Sequence, residues 1–135
     1  MGVEYYLADT RRRRIFWLGK GQFFELTRER PLPDSPQAML AAVEGVCSTW
    51  SSARPEWIRS LACRMWAFVS TAGRENVALR HDASDYEDEW RSPERWPIVG
   101  SRYDEDADDL AADPLREEMD RAAEEALRAL GREGR

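Results

Sequence analysis

The chain is poor in the residues from which most enzymatic sites are built. It has one histidine, His81, and two cysteines, Cys47 and Cys63, sixteen positions apart. Zinc sites usually announce themselves by paired ligands at short spacing, such as Cys-x-x-Cys, and this pattern has none. A metal or nucleophilic centre would need Cys47, Cys63, His81, Asp82 and Asp85 to converge from distant positions. Small buried thiols and an ordinary hydrogen-bonded histidine are the simpler reading. No Gly-x-Ser-x-Gly occurs, which removes the nucleophile-elbow arrangement. Catalytic residues, a bound metal and cofactors are therefore not expected. Long apolar runs are missing too, none approaching the ~18 residues of a membrane helix, and the first residues lack the basic start and apolar middle of a secretory signal. A cytoplasmic protein without membrane contact is expected, with both cysteines as free thiols. Lysine is almost absent: of 20 basic side chains only Lys20 is not arginine. Together with many alanines, that bias fits a gene from a GC-rich bacterium.

What the chain does contain suits one hydrophobic core. At 135 residues it is near the modal size of a domain. Six tryptophans, four phenylalanines and four tyrosines supply large units to bury. A single globular domain over residues 1–131 is expected, with 132–135 as a loose tail. The net charge is −6 but unevenly spread. Residues 1–30 carry seven basic and four acidic side chains, residues 31–81 five and four, and residues 82–135 eight and eighteen. The C-terminal part should repel nucleic acid and attract a basic partner.

Periodicity predicts the elements. Val3 to Ala8 and Arg14 to Leu18 alternate as strands, joined through Asp9, Thr10 and the first arginines into a β-hairpin. Asp34 or Ser35 ahead of Pro36 signals a helix start. Met39, Leu40, Val43, Val46, Cys47 and Trp50 then form one apolar stripe. A second helix from Pro55 to about Ser70 has a wider stripe, from Trp57 and Ile58 to Phe68 and Val69, as expected of a central helix; Arg59, Ser60, Cys63 and Arg64 lie on its other face. Gly73 is its stop. Asn76 to His81 reads as a third strand and Ile98 to Tyr103 as an edge strand. Asp113 and Pro114 open a final helix, Leu115 to Leu130, with Glu117–Arg121 and Glu124–Arg128 in the favourable i, i+4 order and Gly131 as its cap. The fold class is α+β: a small antiparallel sheet led by the N-terminal hairpin, packed by three helices.

Two motifs suggest chemistry and fail on inspection. Gly19-Lys20-Gly21 evokes a phosphate loop, but Arg14 stands where the first glycine of a Walker motif belongs, and Gly21 follows Lys20 where Ser or Thr is required. Asp104, Asp106 and Asp108 imitate the start of a calcium loop, yet Asp109 occupies the glycine position and Leu115 the glutamate position. Arg11 to Arg14, with Phe16, Trp17, Phe23 and Phe24, offer a basic aromatic surface for nucleic acid. Strand alternation splits those aromatics between two faces, and arginines at a hairpin tip read first as solvated charge.

The opening MGVEYYL (Met1 to Leu7), followed by FWLGKGQFFEL (Phe16 to Leu26), resembles a group of short, mostly uncharacterised bacterial proteins that begin with an EYYL-like strand and an LGKG turn. Some of these resemble the immunity proteins of polymorphic toxin systems. The resemblance implies a small soluble domain that binds a toxin and covers its basic active site. In this sequence the acids Asp85, Glu87, Asp88, Glu89, Asp104, Glu105, Asp106, Asp108 and Asp109 would stand in for phosphates, with Tyr86, Trp90, Trp96 and Tyr103 as aromatic anchors. The expected partner is a protein, such as a cognate toxin, and neither nucleic acid nor membrane. Two alternatives stay open: a nucleic-acid-binding or regulatory module using the Arg11–Arg14 hairpin, and a metal-dependent enzyme built on Cys47, Cys63 and His81. The sequence leaves the oligomeric state open.

Overall fold

A computed structural model describes residues 5–19, 32–47, 54–81, 96–101 and 109–133. Strands β1 (Tyr5–Asp9) and β2 (Arg14–Gly19) form the expected hairpin. Helices α1 (Pro36–Cys47) and α2 (Pro55–Ala72) follow, then β3 (Val77–His81), β4 (Ile98–Ser101) and α3 (Arg116–Glu133). The four strands lie in the order β3-β1-β2-β4. The fold is α+β, as the alternation and helical stripes predict. One strand differs from a wholly antiparallel sheet: β4 joins β2 in parallel, so the sheet is mixed.

Local chemistry accounts for the boundaries. Ser35 is the residue that starts α1, its hydroxyl accepting from the Ala38 amide at 3.0 Å while Pro36 occupies the first helical position, where a missing N–H costs nothing. α2 ends at Gly73, whose φ of 91° is open to glycine and strained for other residues. β3 begins after one 3-10 turn, Arg74–Asn76. α3 does not stop at Gly131 but runs through it to Glu133; nothing crowds that position, and the helix continues at the modest intrinsic cost of a glycine.

The two sheet faces bury different sets. Leu7, Phe16, Leu18 and Val99 face the helices, meeting Met39 and Val43 of α1, Leu61, Met65, Phe68 and Val69 of α2, and Met119 of α3. The opposite face buries Tyr6, Ala8, Ile15 and Trp96, with Trp17 stacked flat on Tyr6 at 5.7 Å across the hairpin. α2 is the central helix, packed by both α1 and α3. On its other face Cys63 is buried as well, because Ala126 and Leu130 of α3 close over it, while Ser60 stays exposed. Trp50 and Tyr103 lie outside the described residues.

Candidate functional site

The hairpin tip carries an ion cluster that the sequence reading missed. Arg11, Arg12 and Arg13 are exposed, as expected, but Arg14 has only 4% of its side chain exposed. Asp9, expected in the connection, is the last residue of β1 and fully buried. Its Oδ1 accepts the Arg11 and Arg12 amides at 3.2 and 3.1 Å, shaping the turn, and its Oδ2 accepts Arg14 Nε at 3.0 Å. Arg14 Nη1 donates to Asp113 Oδ2 at 2.8 Å, and Nη2 donates to Thr71 Oγ1 at 3.3 Å. The guanidinium lies 5.1 Å from the centre of the Phe68 ring. Two carboxylates therefore share one buried cation, with Arg12, 3.7 Å from Asp9, adding charge at the rim.

That geometry tells what the cluster does. A buried pair survives only when its hydrogen-bonding groups are satisfied, and here the guanidinium reaches β1, α2 and the segment ahead of α3 at once. It ties the hairpin tip to the helical layer. Asp113, read from sequence as a helix-start residue, spends its carboxylate on Arg14, and α3 begins three residues later. Both carboxylates serve Arg14 and neither is poised as a general base.

Both thiols are withdrawn into the core. Cys47 and Cys63 are both buried and form no disulfide. Burial pushes the Cys63 thiol above its ordinary value of 9.0, while Arg59 and Arg64 pull it down less strongly. A thiol held protonated is a poor nucleophile and a poor metal ligand. Among the described residues no three His, Cys, Asp or Glu side chains group as a metal site.

A cleft of about 160 Å³ opens between β2, β4, α2 and α3, lined by Phe16, Arg64, Ala67, Val99, Leu110 and Met119 among others. Its walls are mainly apolar, and Arg64 donates to the Ser101 carbonyl. Gly100 belongs here for steric reasons: a Cβ on it would lie 2.2 Å from the Phe16 ring.

Of the acidic and aromatic residues expected to form a binding surface, Asp85, Tyr86, Glu87, Asp88, Glu89, Trp90, Tyr103, Asp104, Glu105, Asp106 and Asp108 lie outside the described residues. Trp96 is 9% exposed and packs with Tyr6, Ala8 and Ile15. It belongs to the core and does not serve as a surface anchor, because the outer sheet face needs a cover. Asp109 is exposed, yet its carboxylate accepts the Ile98 amide at 2.9 Å and its own amide donates back to the Ile98 carbonyl at 3.0 Å. The described acidic surface is extended by α3, where Glu117, Glu118, Asp120, Glu124 and Glu125 are exposed beside Arg116, Arg121 and Arg128. The ion pair formed there is Arg116–Asp120 at 4.0 Å, in place of the two pairs the spacing suggested. Leu127, half exposed, lies on the same helix.

Compared with family models, with curated proteins and with solved structures, the chain has no significant match in any of the three.

Proposed function

We propose that this chain is a small acidic protein-binding domain of the immunity type, which blocks a basic, nuclease-like toxin by steric and electrostatic occlusion. The observation that carries the reading is the one-sided charge. Residues 82–135 hold eighteen acidic and eight basic side chains, and Asp109 with five carboxylates of α3 are exposed. α3 spends its apolar stripe on α2 and turns its charged side outward. A positively charged active site meets such a surface with complementary potential, which speeds encounter and fixes orientation. The described interior agrees with this reading, since its buried ions, Asp9, Arg14 and Asp113, are paired with one another and join elements of the scaffold.

The nucleic-acid alternative has lost part of its basis. Arg14 is withdrawn into the core, and Arg12 is engaged by Asp9 and by the Thr71 carbonyl at 3.3 Å. Fewer cations are left for phosphates than four consecutive arginines suggest.

The test is co-expression with the product of the neighbouring reading frame, followed by size-exclusion chromatography. A stoichiometric complex is expected. Reversing Asp104, Glu105, Asp106 and Asp108 to lysine should weaken it about tenfold or more, with Asp109 left intact because it holds β4. No complex, together with salt-sensitive retention of a mixed oligonucleotide pool, would turn the reading toward nucleic acid.

A further inference from the structure

The two edges of the sheet are finished differently. At β4 the outward-facing groups of Ile98 are occupied: its amide is bonded by the Asp109 carboxylate and its carbonyl by the Asp109 amide. Asp109 thus takes, at the start of that edge, the place a residue of a further strand would have. At β3 the direction of the free groups follows from the ladder. Thr10 donates to the Asn76 carbonyl at 2.9 Å, one step beyond the Asp9–Val77 register. Antiparallel pairs alternate, so Ala8–Ala78 and Tyr6–Arg80 are the bonded pairs, and Val77 and Leu79 point their backbone groups away from β1. The Val77 amide turns back to the Arg74 carbonyl. The Val77 carbonyl and both backbone groups of Leu79 remain, and no described residue bonds to them.

From this asymmetry we infer that the β3 edge is a strand-pairing surface for a second copy of the same chain, antiparallel about a two-fold axis at Leu79. The inference is independent of the toxin-binding reading. In that register each Leu79 exchanges its amide and carbonyl with its counterpart, and the Val77 carbonyl meets the His81 amide of the other copy. The side chains agree with the backbone. Leu79, half-buried on the helix side, meets its own counterpart, with Val77 diagonal to it. Arg80 meets the small Ala78, so no like charges face each other. β3 also lies in residues 31–81, where five basic and four acidic side chains nearly balance. A five-residue edge falls short of the roughly 1,200–2,000 Å² buried in a stable interface. The dimer is therefore weak and depends on concentration.

Sedimentation velocity of the full chain over a dilution series tests this. The mass should rise from the 15.6 kDa monomer toward twice that value at the highest concentration. Ala78→Arg sets two like-charged pairs against Arg80 and should weaken the dimer roughly tenfold, while Ala78→Glu should strengthen it. The two substitutions burden the same half-buried position, so a change in the same direction for both overturns the register. Hydrogen exchange of the unmodified protein gives a second reading that needs no variant: the Leu79 amide should exchange more slowly as concentration rises. A monomer at every concentration, with Leu79 exchange independent of concentration, overturns the proposal.

Discussion

Arg14 carries more of the fold than its three neighbours together, because its charge is buried and theirs are not. Replacing it by methionine leaves Asp9 and Asp113 buried without their cation. The expected loss is about 3–5 kcal/mol of unfolding free energy, measured by urea titration. Arg11→Ala, at an exposed position, should stay within about 0.5 kcal/mol of the unmodified chain. Arg13 is a different case: it closes the turn with φ of 61°, a region that costs non-glycine residues roughly 1–2 kcal/mol. Arg13→Gly should therefore leave stability level or raise it by up to about 1 kcal/mol, despite the extra freedom of the unfolded chain. Cys63 adds a pH dependence. Its folded value is raised, so between the ordinary 9.0 and the folded value the native state holds a proton that the unfolded state has lost. Its contribution is complete below pH 9.0 and is lost as pH rises through the folded value. Thermal melts above pH 9.0 should fall more steeply for the unmodified protein than for Cys63→Ala.

Four glycines, with Gly73 at the end of α2, separate the demands that elements place on the same residue. Gly45 in α1 and Gly131 in α3 have open space where a Cβ would stand. Alanine at either should stabilise its helix by about 0.5–1 kcal/mol, seen as a higher melting temperature. Gly100 in β4 is the opposite: a methyl group there meets the Phe16 ring, and that ring is itself packed on Phe68. Gly100→Ala should destabilise by about 1–3 kcal/mol, with the parallel β2–β4 pairing the first to open in hydrogen exchange. One residue type thus ends α2, passes unnoticed in two helices and admits a ring in the sheet.

For the whole molecule the governing quantity is charge separation. Acidic side chains dominate residues 82–135, while Arg11, Arg12 and Arg13 stand exposed at the hairpin tip. If the chain binds a basic partner as proposed, association should slow markedly between low salt and 0.5 M salt, and stopped-flow rates measure it. No helix among the described residues is long and apolar enough to cross a membrane. The scaffold itself should be far less salt-sensitive than binding, because its principal ion cluster is shielded from solvent.

How far the residues alone reached depends on the range of each interaction. The hairpin, the three helices, the third strand and the fourth were legible because alternation, 3.6-residue stripes, Pro36 and Gly73 act within a few positions. The class followed from their order. Whatever required distant partners was not legible. Arg14 looks like its three neighbours until Asp113, ninety-nine positions away, and Phe68 are brought around it. Cys63 lies on a face that reads as polar until α3 covers it, and Trp96 is apolar and solitary until the outer sheet face claims it. β4 paired in parallel, which no short-range pattern encodes, since a parallel partner is chosen by the path of the chain and not by a turn. Composition and periodicity by themselves determined one α+β core and an acidic C-terminal half. Tertiary structure decided which charges were buried, which edge Asp109 meets and which aromatic was core, because burial and pairing depend on neighbours that local sequence does not contain.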